Sequence, residues 1–264
     1  MKMHANPVGL LKLWLLNFVG NAAALAAWYF WLLIPDAHGW QVAGSALAAA
    51  CVIFLVVWLR AGTLAYFRLT EFRDDASVWP AFRRGLRHII ALALWAAVIA
   101  IVEWYLWRLR RYAPQFGVWF WQKMPGSLRI GTPRQFAQWT DWKVWFVFWV
   151  IVPAIGLPIA TTVAAMGLKL GRMARSLRVL RRPLYWLWFG VLMLFGAYLP
   201  YKLIWWVSYK GDLRTEAVSM GLRFFAAYLV VTIAWIALVC VVGWRVEKED
   251  LELNAQNEAI PSVS

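Results

Sequence analysis

Long stretches without charge constrain this chain more than any other feature. About 20 helical residues are needed to cross the hydrocarbon of a bilayer. Because lipid offers no hydrogen-bond partners, backbone at that depth must be helical. The uncharged stretches are residues 13–35, 37–59, 144–168, 183–201 and 224–244, and residues 88–107 carry one charge, Glu103. We therefore predict an all-α, polytopic transmembrane helix bundle with spans at about 8–34, 40–66, 88–107, 144–167, 184–207 and 219–243.

Composition supports a membrane protein. Hydrophobic residues make up 63% of the chain and charged residues only 15%, whereas soluble domains are closer to 45–50% apolar and 25% charged. The formal net charge is +14, which in a soluble domain would suggest nucleic acid. Here the Lys and Arg residues cluster between the apolar stretches, where topology and anionic lipid headgroups explain them. We expect membrane lipids as partners and no nucleic acid.

The distribution of Lys and Arg predicts the orientation. More of them lie at the termini, in the loop between spans two and three and in the loop between spans four and five than in the remaining three loops. Both termini are therefore predicted to be cytoplasmic. Arg outnumbers Lys, Ala is frequent and no N-x-S/T sequon occurs, which favours a bacterial inner membrane. We divide the chain into a six-helix domain, 1–245, and a cytoplasmic, acidic, disordered tail, 246–264.

The chain is rich in Trp, with 21 in total, and three aromatic clusters end helices at one predicted membrane interface. They contain Trp28, Trp104 and Trp205, each with aromatic neighbours. In the loop predicted between the third and fourth spans, at about 108–143, Thr132-Pro133 is typical of an N-cap followed by Pro at the first helical position. We predict a short interfacial helix that runs from there into the fourth span.

Two basic segments are candidate lipid-binding elements. On a helix over residues 170–182, four arginines fall on one face, opposite an apolar face. A second basic segment begins the third span. The predicted headgroup-binding residues are Arg83, Arg84, Arg87, Arg172, Arg175, Arg178 and Arg182.

The two halves of the chain share three short matches that suggest a 3+3 inverted repeat, a plan found in many secondary transporters. In a Trp-rich, basic chain such matches also arise by chance. The matches are Lys12-Leu13-Trp14 with Lys143-Val144-Trp145, Arg60 with Lys202, and Gly85-Leu86-Arg87 with Gly221-Leu222-Arg223.

Few polar or helix-breaking residues lie within the spans. Glu103 and Lys202 are predicted at similar depth, as a structural ion pair or, alternatively, a proton-coupling or substrate contact. Asn17 and Asn21 share one helix face and are expected to join helices, with ligand binding as the alternative. Three prolines are predicted to kink or break helices and, alternatively, to free carbonyls for a site; they are Pro153, Pro158 and Pro200.

The sequence contains no recognisable catalytic motif. HExxH, GxSxG and Walker patterns are absent, and the two cysteines and three histidines form no ligand set. We therefore expect no enzyme activity, no cofactor and no metal site. The leading hypothesis is a non-catalytic scaffold, assembly factor or accessory subunit that binds anionic lipid and membrane-protein partners. The alternative is a small secondary transporter or permease with a cavity lined by Asn17, Asn21, Thr161 and Thr162.

Overall fold

A computed structural model describes residues 6–34, 38–69, 77–206 and 212–259. These residues are 91% helical and contain no strand. The α-helices are α1 (Pro7–Leu32), α2 (Gly39–Arg68), α3 (Trp79–Arg87), α4 (Ile89–Lys123), α5 (Pro133–Phe146), α6 (Val152–Met166), α7 (Leu170–Ser176), α8 (Pro183–Met193), α9 (Leu199–Trp205) and α10 (Leu213–Ala259).

Six helical segments of the described chain are long and apolar enough to cross a membrane, as predicted. α1, α2 and α4 each form one span. The fourth span combines α5 and α6 as Pro133–Met166, and the fifth combines α8 and α9 as Pro183–Trp205. The sixth is Arg214–Leu253, within α10.

The chain forms two compact units. Unit 1 comprises residues 1–92 and 158–264, and unit 2 comprises Ala93–Leu157. Helix α2 lies at the centre of unit 1, where it contacts α1, α3 and α10. Its last eight residues, 61–68, are all buried. Unit 1 is therefore organised around the carboxyl-terminal end of α2.

Two glycines let α3 lie directly against this end of α2. A Cβ atom on Gly85 would lie 2.7 Å from the carbonyl carbon of Ala61, and one on Gly62 would lie 2.5 Å from the Phe82 ring. Real Cβ atoms do not approach other atoms so closely. The spacing between α2 and α3 therefore requires hydrogen at both positions.

Helix α10 extends through the acidic segment for which the sequence predicts a disordered tail. Its helical backbone continues to Ala259, and residues 260–264 lie outside the described part. The carboxylates explain the order, because Asp250 pairs with the buried Arg68 of α2, and Glu249 and Glu252 pair with Arg182. The acidic residues therefore attach α10 to neighbouring helices.

Unit 2 is an antiparallel helical hairpin. The Trp95 indole nitrogen donates to the Gly156 carbonyl at 3.2 Å, and the Arg110 guanidinium contacts the Asp141 carboxylate at 3.0 Å. Helix α4 continues 16 residues past the predicted end at 107, about 24 Å. The predicted loop 108–143 is thus largely helical, because aromatic packing and this ion pair hold the arms together.

The start of α5 agrees with the sequence. The Thr132 side chain accepts a hydrogen bond from the Gln135 backbone nitrogen, the Gln135 side chain accepts one from the Thr132 backbone, and Pro133 occupies the first turn. Gly131 precedes this cap with a φ of 75°, a conformation that glycine adopts without strain. The predicted N-cap is confirmed.

The close contact between α2 and α3 can be tested at Gly85. We expect Gly85→Ala to lower the free energy of unfolding by about 1–3 kcal/mol, because the new methyl group would meet fixed backbone atoms. Thermal unfolding in mild detergent measures the change. Gly44→Ala in α2 is the matched control, since nothing lies within 4 Å of the added Cβ. Equal stability of the two variants would contradict the packing described.

The attachment of α10 can be tested at Asp250. We expect Asp250→Asn to destabilise the protein by about 3 kcal/mol, since it leaves the Arg68 charge buried without its partner. Titration with a denaturing detergent measures this. The control is Asp141→Asn in the exposed Arg110 pair, where the expected cost is below about 1 kcal/mol. Similar losses in both variants would show that the buried pair has no special role.

Candidate functional site

Helix α3 and the segment after α6 together form a basic surface in unit 1. We define it as the exposed residues Arg83, Arg87, Lys169, Arg172, Arg175, Arg178 and Arg181. The two parts are adjacent, because Arg84 Nε of α3 donates to the Ala165 carbonyl at 2.9 Å. Arg84 itself is half-buried and serves to cap α6. The surface therefore combines two segments that the sequence predicts separately.

A change of helix type sets which arginines face outward. Helix α7 ends at Ser176, and a 3₁₀ helix follows over Leu177–Arg181. With about three residues per turn, positions three apart align. Arg178 and Arg181 therefore share a row, whereas the continuous α-helix that we predicted would place Arg182 there.

Arg182 is turned toward α10 and differs from the other predicted headgroup ligands. Its guanidinium bonds to Glu249 and, at 2.6 Å, to Glu252. The hydrogen bond that Arg182 donates to Glu249 raises the pKa of Arg182, and the negative charges of Glu249 and Glu252 raise it further. Arg182 thus attaches α10 while the basic surface stays free of ion pairs among the described residues.

His88 lies at the edge of the basic surface, between α3 and α4. Burial lowers the pKa of His88, and Arg84, Arg87 and Lys169 lower it further by repelling the imidazolium. Its ring packs against Gly167, which has a φ of 76° and follows the end of α6. The charge state of His88 therefore depends on the positive charges around it.

The two asparagines of α1 have different surroundings. Asn17 is fully buried, and its Nδ2 donates to the Thr63 hydroxyl at 2.9 Å and to the Leu13 carbonyl at 3.0 Å. Asn21 is half-buried and accepts a hydrogen bond from Arg60 Nη2 at 3.2 Å. Asn17 joins α1 to α2, whereas Asn21 faces a charged residue.

The prolines and threonines of the fourth and fifth spans have local roles. Pro153 follows a π-helical turn at Val147–Ile151, and Pro200 follows another at Leu194–Tyr198. A wider turn accommodates a proline ring, which would otherwise meet the carbonyl four residues earlier. Pro158 lies inside α6, where its carbonyl accepts hydrogen bonds from Thr161 and Thr162.

Glu103 and Lys202 belong to different units. Glu103 is half-buried in α4, and within unit 2 no described residue forms an ion pair with it. Lys202 is exposed in α9, with Nζ 5.5 Å from the centre of the Tyr198 ring. The proposed ion pair between them stays a prediction.

Unit 1 contains a cavity of about 330 Å³ between α1, α2 and α10. Arg60 lines it, with its guanidinium 4.5 Å from the centre of the Trp235 ring. Arg60 Nη1 is buried and has no hydrogen-bond partner in the described chain. The remaining lining is Asn21, Ala24, Leu25, Trp28, Val52, Val56, Tyr228, Val231, Thr232 and Trp235.

The sequence pattern does not single out Arg60 as a site residue, although Arg60 lies within the predicted span 40–66. A signal was present, since residues 61–67 contain no charge and extend the apolar pattern beyond Arg60. Arg60 therefore lies inside a span, about 12 Å along α2 from Arg68. Ionisable residues within membrane spans are rare and commonly mark a functional site.

The six candidate spans found among the described residues place the chain in the class of multi-pass helical membrane proteins. Among the described residues no group of His, Cys, Asp and Glu could hold a metal ion. No protein-family model, curated protein or solved structure matches the chain.

Proposed function

We propose that the protein is a non-catalytic membrane scaffold, assembly factor or accessory subunit whose basic surface binds anionic lipid headgroups. The observation that carries this proposal is the exposure of Arg172, Arg175, Arg178 and Arg181 on one short segment. Near an anionic membrane, each basic residue contributes about 1 kcal/mol of attraction. Guanidinium groups also match the geometry of phosphate oxygens, so four of them on one exposed segment suit phosphate headgroups.

The proposed orientation of the protein in the membrane follows from the attraction between its basic residues and anionic lipid. The proposal places the basic surface and both termini at the cytoplasmic face of a bacterial inner membrane, where Arg-rich loops are favoured. The arginines of α3 and α7 would then lie at the level of the headgroups. This arrangement accounts for their exposure without ion-pair partners among the described residues.

A scaffold role is favoured by the apolar surface of the spans. Large aromatic side chains are widely exposed, among them Phe30 at 66%, Tyr105 at 63% and Trp205 at 69%. Such side chains suit lipid and neighbouring transmembrane helices, the two kinds of partner that the proposal includes. The buried side chains Asn17, Thr161, Thr162 and Thr232 bond within their own helix or to an adjacent helix.

The transporter alternative has less support. It predicts a cavity lined by Asn17, Asn21, Thr161 and Thr162, but only Asn21 lines the cavity in unit 1. Asn17 is bonded to Thr63, and the two threonines are bonded to Pro158. The inverted repeat on which this alternative depends stays a prediction.

Removal of positive charge from the basic surface tests whether it binds lipid headgroups. We expect the combined Gln variant of Arg172, Arg175, Arg178 and Arg181 to bind dihexanoyl phosphatidylglycerol at least about tenfold more weakly, because several favourable charge contacts are lost. Isothermal titration calorimetry of the full chain in neutral detergent measures the affinity. Raising the salt concentration should weaken wild-type binding in the same direction.

The matched control removes four exposed positive charges from unit 2. It combines the Gln substitutions of Arg108, Lys123, Arg134 and Lys143. This variant should bind the anionic lipid as the wild type does. Equal weakening in both variants would show that net charge, and not the basic surface, determines binding.

The pKa of His88 offers an independent measurement of anionic lipid binding to the basic surface. Anionic lipid on the basic surface would offset the repulsion from Arg84, Arg87 and Lys169, so the pKa of His88 should rise toward its ordinary value. NMR titration of labelled histidine, with His88→Gln for assignment, measures it. Phosphatidylcholine should leave this pKa unchanged, and an unchanged pKa with phosphatidylglycerol would contradict the proposed site.

A further inference from the structure

We propose that the cavity between α1, α2 and α10 binds a lipid oxyanion, the carboxylate or phosphate of an amphiphile whose apolar chain lies within the same cavity. This site is separate from the basic surface, and the inference does not depend on the function proposed for the basic surface. Its volume of about 330 Å³ lies within the range of small-molecule pockets.

Positive charge at one end of the cavity sets the chemistry of the ligand. Arg60 is the charged residue in the lining, and no carboxylate of the described chain lines the cavity with it. One nitrogen of its guanidinium, Nη2, donates to Asn21, and one face covers Trp235. The other terminal nitrogen, Nη1, is buried and has no hydrogen-bond partner among the described residues. A buried charged donor of this kind is best satisfied by an oxyanion.

Asn21 supplies a second donor beside Arg60. Its Oδ1 accepts from the guanidinium, so its Nδ2 hydrogens stay available to a ligand. The Tyr228 hydroxyl already donates to the Phe18 carbonyl and offers only lone pairs. Two donors, Arg60 Nη1 and Asn21 Nδ2, therefore favour an acceptor-only group such as a carboxylate or phosphate.

Apart from the Thr232 hydroxyl, which donates to the Tyr228 carbonyl, the rest of the lining is apolar and elongated. Along α2 it extends from Arg60 back to Val56 and Val52, eight residues or about 12 Å. Along α1 it extends from Asn21 to Leu25 and Trp28. A polar end joined to an apolar channel between helices matches an anionic head on a hydrocarbon chain.

Photolabelling in phosphatidylcholine vesicles tests this site with the full chain. Three diazirine probes share one acyl length and differ in the head: a fatty acid, a lysophosphatidic acid and the neutral alcohol. Mass spectrometry maps the labelled peptides. We expect an anionic probe to label residues 21–28 and 52–60 about tenfold more than the alcohol does.

The preferred probe identifies the source of the oxyanion. Preference for the fatty acid assigns a carboxylate, and preference for lysophosphatidic acid assigns a phosphate. Equal labelling by all three probes would overturn the proposal, because the head would then contribute nothing.

Two variants link the preference to the cavity. Arg60→Met should abolish the preference of the anionic probe over the alcohol, whereas Arg60→Lys should retain part of it. Val56→Trp keeps the charge and fills the channel, so it should lower labelling by every probe, and this variant decides the question if Arg60→Met does not fold. Unchanged labelling in Val56→Trp would overturn the proposal.

The combined Gln variant of the basic surface is the matched control. It should keep the full preference at residues 21–28 and 52–60, because those arginines lie outside the cavity lining. Loss of the preference in this control would contradict a separate intramembrane site. Failure of the photolabelling test would leave the calorimetric result for the basic surface unaffected.

Discussion

Unit 1 depends on the complete burial of the last two turns of α2. Because residues 61–68 have no exposed face, every neighbour must approach the backbone closely, which requires glycine at positions 62 and 85. Burial also encloses Arg68, whose charge needs an anionic partner. Asp250 supplies it, and α10 must stay helical beyond the apolar span to deliver that carboxylate. One buried helix end thus determines the position of α3 and the length of α10.

The spans were predictable because the property that defines them, an uncharged run of helical length, is local in the sequence. The cap at Thr132 was predictable for the same reason. The acidic end of α10 was not, since its order comes from Arg68 and Arg182, which are distant in sequence. The helical extension of α4 likewise depends on pairing with α5, through contacts such as Arg110 with Asp141.

In the candidate sites, too, local features could be predicted from the sequence and contacts between distant segments could not. Arg172, Arg175 and Arg178 could be placed on one exposed face from helical spacing alone. The exchange of Arg182 for Arg181 could not, because it follows from the 3₁₀ turn and from carboxylates on α10. The surroundings of Arg60 could not be predicted, because they require three helices to meet, although the predicted span 40–66 already included this residue.

We propose that this protein holds anionic lipid in the membrane as part of a non-catalytic role. Native mass spectrometry of the chain extracted gently from its own membrane is the decisive measurement. We expect a stoichiometric anionic lipid on the chain, with or without a protein partner. A lone chain that carries no anionic lipid, or only zwitterionic lipid, would contradict it.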